Sequence, residues 1–224
     1  MNKLTNIEKL EKELKFILDL WMEQRKTFSL LKALSTHHHY IRELHKNTDL
    51  FAFMQNKLTE IIILDLCKMF EYNPKNGISI PNLFAQAKEI FTEQYFDVNK
   101  ETLWENATFQ ELNQILSNAD SDLEKNREII RKIKKLRNKL IAHYDGKIDT
   151  FEKVENLYLN SSSSFSLSDH VELNRIGDEV LETIKLVIFG IVIKTDSFEH
   201  YDEDLEKIAN ALHQFNYNAH GKLN

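Results

Sequence analysis

Residues that break helices are scarce in this chain. Five glycines and two prolines in 224 positions argue against a turn-rich β architecture and favour long helices. One cysteine, Cys67, excludes an intramolecular disulfide, and its place in an apolar helical run points to a plain core role in a reducing compartment. The most apolar run, Leu186 to Ile193, is eight residues long, whereas a bilayer span takes about 20. The first ten residues lack the apolar core of a signal peptide. The expectation is a soluble, cytoplasmic protein with no membrane partner.

Several chemistries lack their motifs. There is no Gly-rich phosphate loop, no Cys-x-x-Cys pair, no Ser-centred nucleophile elbow and no His-Glu-x-x-His, and no repeat at solenoid period. The formal net charge of −6 argues against a general nucleic-acid coat protein, which needs a broadly positive surface to displace counterions. It leaves room for a local basic site.

What is present is the composition of an ordinary globular protein, 42% hydrophobic and 29% charged, in a chain long enough for one substantial core or at most two small ones. The fold class expected is all-α, as a single helical domain over residues 1–224. Leu4, Ile7, Leu10, Leu14, Ile17, Leu18 and Trp21 recur at three- and four-residue steps, marking an amphipathic N-terminal helix over about 4–34. The run His37, His38 and His39 follows, with His45 beyond it. Consecutive helical residues point about 100° apart and cannot converge on one ion, while His38 and His45 alone make too few ligands. No metal site is expected.

Thr48 or Asp49 can cap the next helix, which runs to about Tyr72. It is apolar nearly all round, which predicts a place in the middle of a bundle. Its polar positions Glu60, Asp65 and Glu71 therefore lie on a narrow wet strip or pair with a cation from a neighbouring helix. Residues 73–77 form a turn, and Ser79 with Pro81 starts a new helix that ends between Phe91 and Asp97. A looser stretch is expected to about Thr108, then an amphipathic segment through Phe109, Leu112 and Leu116. The polar run Ser117 to Asp122 is either a break or a wet turn of a longer helix. Further helices are expected over about 122–144, stopped by Gly146, over a short piece at 151–159, over about 168–193 and over about 202–216. Ser161 to Ser164 forms a low-complexity loop between them.

The helix over 122–144 carries the chain's main anomaly. With Ile133 at zero and about 100° per residue, Ile129, Ile130, Leu136, Leu140, Ile141 and Tyr144 make one broad apolar face. Arg131, Lys132, Lys134, Lys135 and Lys139 project to the opposite, wet side. Arg137 projects at about 40°, inside the apolar face, and His143 lies at its rim. A guanidinium keeps its proton, so in that position it needs a partner or a ligand. Two readings stand. Arg137 is a structural cation paired with Glu60, Asp65 or Glu71, and His143 a favourable charge near a helix C-terminus. Alternatively, both residues line a cleft, between subunits, and meet around a phosphate.

Arg137 followed by Asn138, four further residues and then His143 is similar to the signature of the HEPN superfamily: an Arg, often a polar residue, and a His a few positions on. The run Leu64 to Glu71, followed by a turn and Ser79-Ile80, and the longer ending Arg137 to Asp145 resemble the U-type abortive-infection phage-defence proteins of bacteria. The resemblance covers about residues 45–195. It implies a HEPN-like helical bundle with an additional N-terminal helix, dimerising so that two Arg-x-His segments meet across a groove. It further implies metal-independent cleavage of an RNA substrate without a cofactor, in a toxin or phage-defence system with an antitoxin or another defence protein as a possible partner.

On that resemblance Arg137, Asn138 and His143 are the expected catalytic residues, supported by Tyr144, Asp145, Lys139, Asp65 and Glu71. A His titrating near neutrality can move protons to and from ribose oxygens. An Arg clamps a phosphate with two donors, and Asn138 can orient the phosphate or the imidazole. Two departures stand out: Glu71 occupies a position where similar proteins often carry Asp, and Tyr144 follows His143 directly, so the modified tyrosine of one toxin branch has no counterpart. The competing class is a non-catalytic HEPN module that binds RNA, a nucleotide or a protein partner. A purely structural helical bundle with Arg137 in a core ion pair is the third.

Overall fold

A computed structural model of the chain describes residues 3–36, 50–71, 77–142, 166–191 and Lys207. Every regular element among them is a helix: α1 (Lys3–Thr36), α2 (Leu50–Phe70), α3 (Ile80–Ile90), α4 (Glu93–Leu103), α5 (Phe109–Lys125), α6 (Arg127–Ala142) and α7 (Leu167–Phe189). The chain is all-α. No described helix is long and apolar enough to cross a membrane. The helices expected at 151–159 and 202–216, the Ser161 to Ser164 loop, Gly146 and the His37 to His39 run lie outside the described residues, apart from helical Lys207.

The chain divides into two compact units, one of Met1–Trp21 with Asp65–Thr195, the other of Met22–Leu64 with Asp196–Asn224. In the first, α7 is the organising element. Leu173, Ile176, Val180, Ile184 and Val187 are fully buried along it, at the three- and four-residue steps that keep one helical face inward. That face packs against α3, α5 and α6. Helix α3 answers with Ile80, Leu83, Phe84 and Ala87, all buried. Its start is the one the sequence announces: the Ser79 hydroxyl accepts from the Asn82 amide, with proline in the first turn.

The N-terminal part of α1 joins this core through Leu10, Leu14, Ile17 and Trp21, each at most 4% exposed. The Trp21 indole reaches α7 where Gly177 leaves space, since a Cβ there would lie 2.2 Å from the ring. Its Nε1 donates to Asp178 Oδ1 at 2.8 Å, giving the buried indole the partner it needs.

Helix α4 falls where a looser stretch was expected. Only Phe96 on it is buried and Val98 is largely exposed, so it carries little amphipathic signal. Two things hold it: the Thr92 hydroxyl caps its first turn, and an aromatic cluster of Phe91, Tyr95, Phe96, Trp104 and Phe109 packs rings 5.4–5.9 Å apart. The cluster also finishes α7. Trp104 Nε1 donates to the Leu186 carbonyl and the Tyr95 hydroxyl to that of Ile188, both at 2.7 Å. The Ile188 carbonyl lies in the last turn, where a helix leaves carbonyls without internal donors, whereas that of Leu186 also accepts from the Gly190 amide at 3.0 Å. Gly190 then ends α7 in the left-handed conformation, φ 64°, four residues before the sequence suggested. A side chain there would strike the Leu103 carbonyl.

The polar run Ser117 to Asp122 is a wet turn inside α5, and the break comes at Asn126. There the side chain turns back onto the Asp122 carbonyl (2.9 Å) and reaches Glu172 (3.4 Å). Arg175 of α7 fastens the same bend, donating to Asp122, Glu172 and Glu179 at 2.7–2.8 Å. At the other end of α6's contact with α7, Lys132 donates to Asp169. That carboxylate also closes the capping box of α7 with Ser166.

In the second unit, Gln24, Ala33, Leu34, Ile62 and Ile63 are buried, and Gln55 Nε2 donates to the Leu34 carbonyl at 2.9 Å. Helix α2 is not apolar-and-buried all round, as its composition suggested. Phe53, Ile61 and Leu64 are 57%, 46% and 40% exposed.

Candidate active site

Helix α6 is set in rotation by Ile133 and Leu136, which are 1% and 5% exposed. With those two residues inward, Arg137 falls beside the core and Lys134 and Asn138 outside it, as the 3.6-residue repeat requires. The Arg137 side chain is 22% exposed. It is neither a solvated charge nor a fully buried one.

Its partner is Glu71, directly after the last residue of α2. The Glu71 amide still bonds to the Cys67 carbonyl at 2.9 Å, so the helix carries its geometry into this residue. Arg137 Nη1 donates to Glu71 Oε2, and Lys134 Nζ lies 3.3 Å from Oε1. One carboxylate thus takes two cations from successive turns of α6. Burial pushes the Glu71 carboxyl upward, but the hydrogen bonds and charges of Arg137 and Lys134 outweigh it and hold the group below its ordinary 4.5.

Asn138 completes the arrangement. Its Oδ1 accepts from Arg137 Nε at 3.3 Å and from Nη2 at 3.0 Å. Of the five N–H groups of a guanidinium, three are engaged: Nε and one on Nη2 by Asn138, one on Nη1 by Glu71. The remaining two, one on each Nη, have no partner among the described residues. Uncommitted guanidinium N–H groups are donors that suit phosphate oxygens.

Of the three carboxylates offered as partners by the sequence, the structure selects Glu71. Glu60 belongs to the second unit and pairs with Lys57 at 2.7 Å. Asp65 is half-buried, its carboxyl pushed up by burial against the opposing charge of Lys68, and it has no bond to Arg137. Lys139 lies in α6 but its side chain is outside the described residues, as are His143, Tyr144 and Asp145.

One participant was not among the expected site residues: Lys134, on the wet face and 54% exposed, also shares Glu71 with Arg137; its position three residues earlier was the available signal. Asn138, an expected site residue, accepts from the guanidinium itself. Cys67, one turn before Glu71, is buried, and burial pushes its thiol up to about 12, with the charges of Arg137, Glu71 and Lys134 as smaller influences. Next to Glu71, Phe70 lines a groove of about 620 Å³ together with Pro81, Phe84, Leu123, Ile130 and Arg131. Lys88, Arg127 and three carboxylates edge it.

An all-helical fold and the sequence Arg137-Asn138 followed by His143 are what a HEPN-type module is expected to carry. A model of the HEPN-type AbiU2 family matches residues 5–212, and the chain belongs to that abortive-infection family. No curated protein and no solved structure matches it.

Proposed function

We propose that this chain is a metal-independent endoribonuclease of a bacterial toxin or phage-defence system, its site completed by a second copy. The observation that carries the reading is the state of Arg137: fixed by Glu71 and Asn138, with two N–H groups left over. A guanidinium held in advance loses little freedom on binding a phosphate and stabilises the charge that grows there in the transition state. His143, as the base, takes the proton from the substrate 2′-hydroxyl, whose oxygen attacks the adjacent phosphorus. The bond to the 5′-oxygen breaks, and that oxygen leaves with a proton from a protonated imidazole. Two copies bring two such imidazoles. The products are a 2′,3′-cyclic phosphate and a free 5′-hydroxyl. Lys134 screens Glu71, so the carboxylate next to Arg137 repels the incoming phosphate less.

The reaction class is read from the product ends. Purified protein in excess chelator should convert labelled RNA into fragments with a cyclic phosphate and a 5′-hydroxyl. Fragments with a 5′-phosphate, or cleavage abolished by the chelator, would remove this mechanism. RNA binding that depends on Arg137 without any cleavage would establish the alternative, a binding module using the same side chains.

A further inference from the structure

Nothing in the reaction above uses the groove that begins beside Glu71. It lies wholly within the first unit, among residues of α3, α5 and α6, and has a volume of about 620 Å³, the size of a small-ligand pocket. Half-buried Pro81, Ala85 and Ile130 open onto it, over buried Phe70, Phe84 and Leu123. The rim carries both signs of charge. On its α6 side stand Arg127 and Arg131, each 62% exposed and paired with the exposed Glu124 and Glu128 respectively. On its α3 side Glu89 is exposed and has no partner among the described residues.

This groove is continuous with the Arg137 site. Phe70 in its floor directly precedes Glu71, and Arg131 comes six residues before Arg137, about 9 Å along the helix axis. Arg127, Arg131, Lys134 and Asn138 follow one another at steps of four, three and four residues, so they share one stripe of α6. A strand with one phosphate at Arg137 therefore meets a cation at each turn as it passes the groove.

We infer that the groove takes one unpaired base of an RNA strand, within about three nucleotides of the phosphate at Arg137, at the roughly 3.4 Å per nucleotide of a stacked strand. The inference rests on the RNA reading above and narrows its substrate to single strands. The apolar floor suits the flat body of a base, and the planes of Arg127 and Arg131 can stack on it or hold the flanking phosphates. Their exposed ion pairs are weak, so a phosphate can take the place of either carboxylate. Glu89 can accept from an exocyclic amino group, as carboxylates do from cytosine. A base within an A-form duplex is stacked and paired, and cannot reach the floor.

The test is binding of the full chain to a short 2′-fluoro RNA, which offers no attacking hydroxyl, with an abasic site placed at each position in turn. One abasic position should weaken binding by wild type about fivefold or more. Ala85→Trp fills the groove: it should bind the intact strand about as weakly as wild type binds that abasic strand, and show no further loss on the abasic one. Should Ala85→Trp lose its helical circular dichroism spectrum, Arg131→Ala, at an exposed position, carries the same comparison, with the abasic loss reduced. The same sequence annealed to its complement should bind wild type more weakly than the single strand. Wild type indifferent to every abasic site, a variant that keeps the full abasic loss, or a duplex bound as tightly as the single strand would overturn the inference. Cleavage of natural RNA without any abasic effect would overturn it and leave the ribonuclease reading intact. The abasic effect without cleavage would keep the groove and sink the ribonuclease. A wild type that binds no RNA would overturn both.

Discussion

Removing Glu71 tests how the site is held. Glu71→Ala deletes a carboxylate that accepts from Arg137 and pairs with Lys134, and leaves two cations on adjacent turns of α6. Hydrogen bonds to charged groups contribute about 1.5–3 kcal/mol when buried, and exposed ion pairs about 0.2–1 kcal/mol. The side chains of Arg137 and Glu71 are 22% and 30% exposed, between those limits, so the expected loss is about 1–2 kcal/mol. With a urea dependence of about 2 kcal/mol per molar, the unfolding midpoint should fall by about 0.5–1 M. Glu71→Gln keeps an acceptor and should lose less. The pH dependence supplies an internal check. Because the folded carboxyl lies below its ordinary value of 4.5, the unfolded chain binds a proton there first. The stabilisation is therefore present above about that pH and disappears as pH falls through the depressed value. The wild type should lose its advantage over Glu71→Gln on acidification, and the two curves should converge. Midpoints that coincide at pH 7, or a gap that widens in acid, would refute the Arg137–Glu71–Lys134 cluster.

Two other outcomes follow from packing. Gly177→Ala forces a methyl group into the Trp21 ring, 2.2 Å from its nearest carbon. Overpacking of this kind costs about 1–3 kcal/mol, and the melting temperature should drop with Trp21 fluorescence altered; an unchanged melting curve would contradict the α1–α7 contact. The Cys67 thiol, buried and pushed up to about 12, should resist a thiol-specific aromatic disulfide at pH 8 until denaturant is added. Rapid labelling of the native chain would place Cys67 outside the core.

Helix identity was legible where burial follows a 3.6-residue rhythm, as along Leu173, Ile176, Val180, Ile184 and Val187, and where a cap has a side-chain mechanism, as at Ser79. It was illegible in α4, whose place comes from rings such as Trp104 and Phe109 rather than from its own pattern. The bend at Asn126 was hidden for a similar reason, since the Arg175 network that fastens it is supplied by a helix about 50 residues later. Composition told that α2 is apolar, but not that one of its faces stays uncovered; which sides are buried depends on neighbours. Arg137 betrayed itself by projecting next to Ile133. Its choice of Glu71 over Asp65 or Glu60 required the tertiary fold, because partner and cation are 66 residues apart.

The central claim is that Arg137 and His143 act on a phosphate rather than merely ending a helix. It is tested most directly by single-turnover RNA cleavage with wild type, Arg137→Ala and His143→Ala in chelator, each shown to keep its helical spectrum. A general acid–base group contributes about 10²–10⁴-fold, and a charge-stabilising donor about 10²–10³-fold. Both variants should therefore lose at least two orders of magnitude in rate. Equal cleavage by all three proteins would contradict the account.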